Sequence, residues 1–348
     1  MNRIYIFGID SVRGGIELMM NYLINDLSSK KEKKVTIVTC YEKIAFQNEY
    51  IKQGVEIEII PSKKHIFKYK KSLKRLIENL DSNDILYVNL SSYCNWPLLS
   101  ELKKAGCQVV IHGHNAHTAN IIKKVIHRAG KKIYKNLGYK IAVSEQCNNF
   151  MFMGKADLVL YNGIESGKFL FNKINREKIR KDLGYSDNEL IVGCVGRISK
   201  EKNQLYLVKK ANLYPKIVFL FIGGFVDSKY EKRIKSAASK NCVFMGQKEN
   251  VHELLSTLDA IIIPSLHEAF PLVAIESFTN GLSVFLNPVL YEQQIDLFLN
   301  ENCFSLTESN FNIDKIQSLH NKRNSSLNES FGNYDIKKWL ETINKIIS

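Results

Sequence analysis

Short β-branched runs alternate with amphipathic stretches from one end of the chain to the other, and the alternation runs through twice. Arg3 to Phe7, Val35 to Cys40, Val55 to Ile60, Ile85 to Asn89, Gln108 to His112, Lys140 to Val143 and Leu158 to Tyr161 read as strands. Helical-period segments such as Ile16 to Leu27 and Phe67 to Leu80 lie between them. A strand that is always followed by a helix enters a parallel sheet covered by helices. After a polar stretch from Glu165 to Asn188 the pattern restarts with Ile191 to Val195, Ile217 to Ile222, Cys242 to Met245, Ala260 to Ile263 and Ser283 to Leu286. Two doubly wound α/β domains follow, in keeping with 348 residues, since single cores stop growing near ~250–300. The turn Asn162-Gly163-Ile164 marks the boundary, giving residues 1–163 and 164–333. The apolar positions Ile336, Trp339, Leu340, Ile343, Ile346 and Ile347 predict a last helix over 334–348 that packs back on the first domain at the interdomain joint.

Composition removes several classes. With 45% hydrophobic and 24% charged residues, the chain is neither disordered nor a collagen-like repeat. The apolar runs are shorter than the ~18 residues that a membrane span needs. Ile4 to Ile9 lacks the features of a secretory leader, so a cytosolic protein is expected. Seven cysteines without C-x-x-C spacing suggest neither a disulfide framework nor a zinc site. The net charge of +14 is uneven: residues 1–164 hold 25 Lys and Arg against 14 Asp and Glu, whereas the remainder is nearly balanced. The clusters at Lys30–Lys34, Lys63–Arg75 and Lys123–Lys135 suit anionic lipid, nucleic acid or a merely solvated face.

Two doubly wound domains make a cleft at the carboxyl ends of their strands, and five segments are candidates to line it. Ser265 to Gly281 follows an apolar strand, so Glu268 falls in a loop and Glu276 on a helix starting near Pro271. Amides around Phe270 to Val273 would face a phosphate or sugar. In Gly193 to Asn203, Arg197 leaves the end of a buried strand and Lys202 opens the next helix, a pair suited to a diphosphate because both neutralise a departing phosphate group. Gly14-Gly15 before the first helix permits close backbone approach, though it is neither a dinucleotide fingerprint nor a P-loop. His112, His114 and His117 lie just after a strand without Cys or paired carboxylates nearby, which favours a polar loop over a metal site. There is no Asp-x-Asp, so no divalent-cation site is indicated. Ser144-Glu145-Gln146 reads as a capped helix start. Each motif alone is matched by a bland surface or capping explanation.

The ordered set resembles the family 4 retaining glycosyltransferases of the GT-B fold, of the kind found in bacterial exopolysaccharide and capsule assembly. It comprises Gly14-Gly15, Val143-Ser144, Asn162-Gly163-Ile164, Gly196-Arg197, Lys202-Asn203, Phe244-Met245-Gly246 and the E-x7-E pair Glu268 and Glu276. The resemblance implies transfer of a sugar from a nucleoside diphosphate, UDP being the common carrier, to a hydroxyl of a lipid-linked saccharide acceptor. Retention would come from same-face attack, the leaving phosphate taking the acceptor proton. Arg197 and Lys202 would hold the diphosphate, Glu276 the ribose hydroxyls and Glu268 the transferred sugar. Gly15 and the backbone of Phe270, Pro271 and Leu272 would also meet the donor, with His114 beside the sugar. The C-terminal domain would bind the donor, and the basic N-terminal domain would face the acceptor and the anionic inner surface of the cell membrane. No metal or other cofactor is expected. Two features depart from the pattern: Glu268-Ala-Phe-Pro271 replaces the common Glu-Gly-Phe-Gly, and Glu17 puts a carboxylate just inside the first helix. That carboxylate either binds acceptor or complements the helix dipole.

Two other functions compete. A GT-B-fold sugar-nucleotide epimerase shares the architecture but not the Arg197, Lys202, Glu268 and Glu276 set. A basic nucleic-acid-binding protein fits the charge, yet no recognition motif is present and no aromatic residues interleave with the basic runs. A nucleic-acid partner is therefore not expected.

Overall fold

The computed structural model describes residues 2–118, 120–294, 302–306, 313–323 and 334–348. Residues 324–333, the end of the second expected domain, lie outside these. The chain divides into two compact units, Met1–Gly163 with Ile336–Ser348, and Ile164–Asp335.

In the first unit β1 (Arg3–Phe7), α1 (Gly15–Lys30), β2 (Lys34–Thr39), α2 (Gln47–Lys52), β3 (Glu56–Ile59), α3 (Ile66–Glu78), β4 (Ile85–Leu90), α4 (Trp96–Leu102), β5 (Gln108–Gly113), α5 (Ile121–Ile133), β6 (Tyr139–Ala142), α6 (Glu145–Cys147) and β7 (Leu158–Val159) follow one another. The strands form one parallel sheet in the order β3-β2-β1-β4-β5-β6-β7. All six residues of β4 are buried, as a strand covered on both faces requires. One face carries α1, whose Met19, Met20, Leu23, Ile24 and Leu27 pack on Ile4, Ile6 and Ile37 of the sheet.

The second unit contains α7 (Lys173–Asp182), β8 (Ile191–Val195), α8 (Gln204–Ala211), β9 (Val218–Ile222), α9 (Ser228–Ala237), β10 (Cys242–Gly246), α10 (Val251–Leu255), β11 (Ala260–Ile263), α11 (Leu272–Thr279), β12 (Ser283–Leu286), α12 (Pro288–Gln294), β13 (Cys303–Ser305) and α13 (Ile313–Ser318). Its strands are again parallel, in the order β10-β9-β8-β11-β12-β13. The fully buried Asp259, just before β11, receives Arg180 Nη2 at 2.7 Å, Arg176 Nη2 at 2.9 Å and the Ile191 amide at 2.8 Å. This cluster ties α7 to the starts of β8 and β11.

The chain then returns to the first unit as α14 (Ile336–Ile347). Its Ile336, Trp339, Ile343 and Ile347, one per turn, are buried in the same core as α1. Asn344 Nδ2 donates to Asp26 of α1 at 2.8 Å, and Gln108 Nε2 caps the helix end at the Ile346 carbonyl, 2.8 Å away. The helix does not begin at 334. Tyr334 and Asp335 stay with the second unit, because the Ile164 amide donates to the Tyr334 carbonyl at 2.7 Å and Ile164 pairs with Asp335 in a parallel bridge. All seven cysteines are unpaired among the described residues. Among those residues, too, no helix is long and apolar enough to cross a membrane.

Candidate active site

In the second sheet β8 and β11 are neighbours, but β8 leads through α8 to β9 on one side and β11 leads through α11 to β12 on the other. The connections diverge, leaving an open position at the carboxyl ends of these two strands, where α/β sheets bind ligands. Gly196 makes the exit from β8: its φ of +135° is one that L side chains avoid. At Gly223, just after β9, a Cβ would lie 2.0 Å from the Gly196 carbonyl oxygen, so only glycine lets the two strand ends approach. Arg197 leaves this turn exposed and pairs with no carboxylate among the described residues.

Two loops meet here. The Leu266 amide donates to the Glu201 carbonyl at 2.9 Å, Asn203 Nδ2 donates to the Pro264 carbonyl at 3.2 Å, and Lys202 forms a short ion pair with Glu268. Lys202 does not open a helix, as its spacing suggests. It sits in the turn before α8, whose first residue is Gln204. Gln204 is a functional support that the motif reading missed. Its buried amide donates to the Arg197 carbonyl at 3.0 Å and accepts the Ser199 amide at 3.2 Å, which fixes the loop carrying both cations. The signal was the polar pair Asn203-Gln204 at a helix start, where Asn203 takes a left-handed conformation that asparagine tolerates.

Glu276 lies on α11 and is 8% exposed. Burial pushes its carboxyl up to about 7 from an ordinary value near 4.5. No described residue donates a hydrogen bond or ion pair to it. A buried carboxylate without a protein donor favours a ligand that brings hydroxyl groups. The amide cradle expected over Phe270 to Leu272 is narrower than predicted. Pro271 precedes the helix as its cap and has no N–H, and the Leu272 amide already donates to the Phe270 carbonyl at 3.1 Å. Val273 keeps its amide without a backbone acceptor among the described residues.

Gly15 and His114 lie in the first unit. Gly15 is the first residue of α1, after an extended Gly14. Its amide has no backbone acceptor among the described residues, as the opening turn of a helix leaves it. Glu17, buried in that turn, accepts the Asp10 amide at 3.1 Å. It thus orders the loop while complementing the helix N-terminus. The first sheet also has a switch point, between β1 and β4, and a cavity of about 340 Å³ opens there, lined by Asp10, Thr39, Lys63, Tyr69, Asn89 and Ser91 among others.

His114 stands beside this position. Asn89 Nδ2 donates to the Phe7 carbonyl at 2.9 Å, so its Oδ1 faces His114 Nε2 at 2.8 Å and accepts from it. The imidazole is therefore the Nε2–H tautomer, with Nδ1 left as an acceptor. Desolvation pushes its pKa down to about 3, so it stays neutral at physiological pH. His112 is buried behind it, its Nδ1 2.7 Å from the Tyr87 hydroxyl. Asn89 and Tyr87 carry no motif, and only their position in β4 beside β5 reveals them. Ser144 caps α6 by accepting the Cys147 amide at 3.1 Å.

Two such parallel-sheet units, the second with a lysine–glutamate ion pair at its switch point, are the architecture of GT-B glycosyltransferases, and known proteins agree. Residues 175–316 match the family described as Glycosyl transferases group 1. EpsF of Bacillus subtilis strain 168 is 22% identical over 81% of this chain and 78% of its own length. The UDP-Gal:alpha-D-GlcNAc-diphosphoundecaprenol alpha-1,3-galactosyltransferase of Escherichia coli is 30% identical, over 41% of this chain and 41% of its own. The solved structure of Anabaena HepE in complex with UDP and glucose superposes with a TM-score of 0.80 at 16% identity, covering 100% of this chain and 99% of that one. The second unit thus contains the stretch that matches glycosyl transferases group 1, and the chain is a transferase enzyme.

Proposed function

We propose that this enzyme moves a sugar from a UDP-sugar, with retention at the anomeric carbon, to a hydroxyl of a lipid-linked saccharide at the cytoplasmic face of a bacterial membrane, in the assembly of a surface polysaccharide. The observation that supports the reading is the Lys202–Glu268 ion pair between the loops that follow β8 and β11, with Arg197 at the exit of β8 and the buried Glu276 on α11. Lys202 neutralises Glu268. A diphosphate entering beside Arg197 would compete for that ammonium and free Glu268 for the hydroxyls of the sugar. As the bond to the anomeric carbon breaks, negative charge grows on the departing diphosphate, and two fixed cations stabilise it more than they stabilise the bound donor. In this scheme those side chains supply the positive charge, with no metal taking part. Glu276, ionised, accepts the ribose hydroxyls, and the first-turn amides of Gly15 and Val273 are further donors for phosphate or sugar oxygens.

Retention then needs attack on the face the phosphate is leaving, and the leaving oxygen itself takes the acceptor proton. The neutral His114 fits such a site, because its Nδ1 accepts from a sugar hydroxyl and carries no positive charge to repel a developing oxocarbenium ion. The Escherichia coli relative, by its name, uses a UDP-sugar and a diphosphoundecaprenol acceptor, which supports the donor and acceptor classes proposed. The basic first unit, 25 cations against 14 acids in residues 1–164, supports an anionic lipid surface as the place of action.

The test is sugar transfer from a radiolabelled UDP-sugar to a lipid extract. Glu268→Ala and Arg197→Ala are each expected to lower transfer by at least ~100-fold while leaving the unfolding midpoint within about 2 °C. Full activity in either variant contradicts the site assignment. Conversion of the donor without any acceptor indicates an epimerase instead.

A further inference from the structure

We infer that α5, with the first turn of α3, is a membrane-inserting surface whose apolar edge enters the lipid interface while its lysines hold anionic head groups. This rests on the lipid-linked acceptor just proposed and adds to it the element and the mode of contact. Of the thirteen residues of α5, only His127 and Gly130 are buried. These two dock the helix. The Tyr93 amide donates to His127 Nδ1 at 3.0 Å, His127 Nε2 faces the Phe150 carbonyl at 3.1 Å, and a Cβ on Gly130 would meet the Tyr93 carbonyl oxygen at 2.5 Å. At about 100° per residue, Ile121, Val125, Ala129, Ile122, Ile133 and Ile126 span an arc of ~140° centred opposite that docking edge. The apolar face therefore points away from the unit, with Ile121 78%, Ile122 71% and Val125 61% exposed. Lys124, Arg128 and Lys131 flank one side of the arc, Lys132 projects just inside that same edge between Ile121 and Val125, and α5 contains no acidic residue.

The neighbouring element repeats the combination. On α3 the outward face holds Lys68, Lys71, Lys74 and Arg75, with Phe67 88% exposed in the first turn. The two helix starts are joined through one loop. Asn95 Nδ2 donates to the Tyr69 hydroxyl of α3 at 2.9 Å, Tyr93 in the same loop holds α5, and the partly exposed Trp96 follows.

Exposed isoleucines framed by unopposed cations select among occupants. A second copy of the chain would set cations of one α5 against cations of the other in a two-fold contact. A nucleic acid would leave the isoleucines without a partner. An anionic bilayer satisfies both, since the helix lies in the interface with its apolar arc among acyl chains and its lysines among head groups.

The experiment is co-sedimentation of the full chain with vesicles of phosphatidylglycerol and phosphatidylcholine, or of phosphatidylcholine alone, at low and high salt. The triple variant Ile121→Ser, Ile122→Ser, Val125→Ser is expected to lose the binding that survives high salt, by about tenfold in partition. Lys124→Gln, Arg128→Gln, Lys132→Gln is expected to lose the preference for phosphatidylglycerol at low salt. Ile122→Trp should show a blue-shifted, quencher-protected emission with anionic vesicles. These surface changes keep the melting midpoint, and the midpoint shift by a nucleotide sugar reads the donor site separately. Wild-type sedimentation by the triple variant overturns the proposal. So does a wild-type dimer, seen by light scattering, that the triple variant dissolves, because the face is then a contact between copies.

Discussion

At the scale of single residues, Glu276 joins stability and function with opposite signs. Its folded-state pKa, about 7, is raised by burial above the ordinary value near 4.5. The stability it contributes is therefore complete below that ordinary value and is lost as pH rises through about 7. Glu276→Gln removes the loss: the variant should be more stable than wild type by about 2 kcal/mol at pH 8 and show little difference at pH 5. If ribose hydroxyls are what the carboxylate awaits, the same variant binds donor about tenfold more weakly. Urea unfolding at the two pH values, with nucleotide titration, reads both, and a variant less stable at pH 8 contradicts this account of the carboxylate. Residues that touch ligand are the ones a motif can expose, and Arg197, Lys202, Glu268 and Glu276, the donor-binding set proposed above, were singled out in that way. The supporting residues were less legible. Gln204 left only a polar pair at a helix start as its signal, whereas Asn89 and Tyr87 act on His114 and His112 through hydrogen bonds between strands, and the 82 residues separating Asn89 from its other partner Phe7 leave no local pattern.

At the scale of elements, parallel strands were legible because burial on both faces writes them as continuous apolar runs, as in β4 and β11. Element ends were less so. Pro271 was read as a first-turn residue but caps α11, and Lys202 sits before α8 rather than within it. In both places a loop fixed by tertiary hydrogen bonds displaces the boundary that local propensity suggests. The cluster at Asp259 had no signal at all, since a lone Asp before a strand looks like a turn residue. It holds two arginines that are themselves buried. Asp259→Ala should cost about 3–5 kcal/mol, the penalty for leaving buried guanidinium groups uncompensated. Chemical denaturation checks this, and a change below about 1 kcal/mol would show that the arginines are satisfied by the Thr257, Ser186 and Glu189 carbonyls alone.

At the scale of the whole molecule, the division of charge and the division of the fold coincide. Residues 1–164 carry most of the excess positive charge, and the first unit displays it on α3 and α5 together with exposed apolar side chains. Composition showed the surplus but not its purpose, because a lysine count is blind to whether the isoleucines beside it are buried or exposed. In the second unit the charge that matters is two cations placed at one switch point, and there sequence order was sufficient to find them. The central claim is that this switch point holds a nucleoside diphosphate sugar. Thermal unfolding of the enzyme with UDP-, GDP- and ADP-sugars tests it directly, since a ligand that binds only the folded state raises the midpoint. One UDP-sugar is expected to raise the midpoint in the wild type, and Arg197→Ala and Lys202→Ala to abolish the shift. A midpoint unmoved by every nucleotide sugar, or a shift that survives both substitutions, would contradict the account.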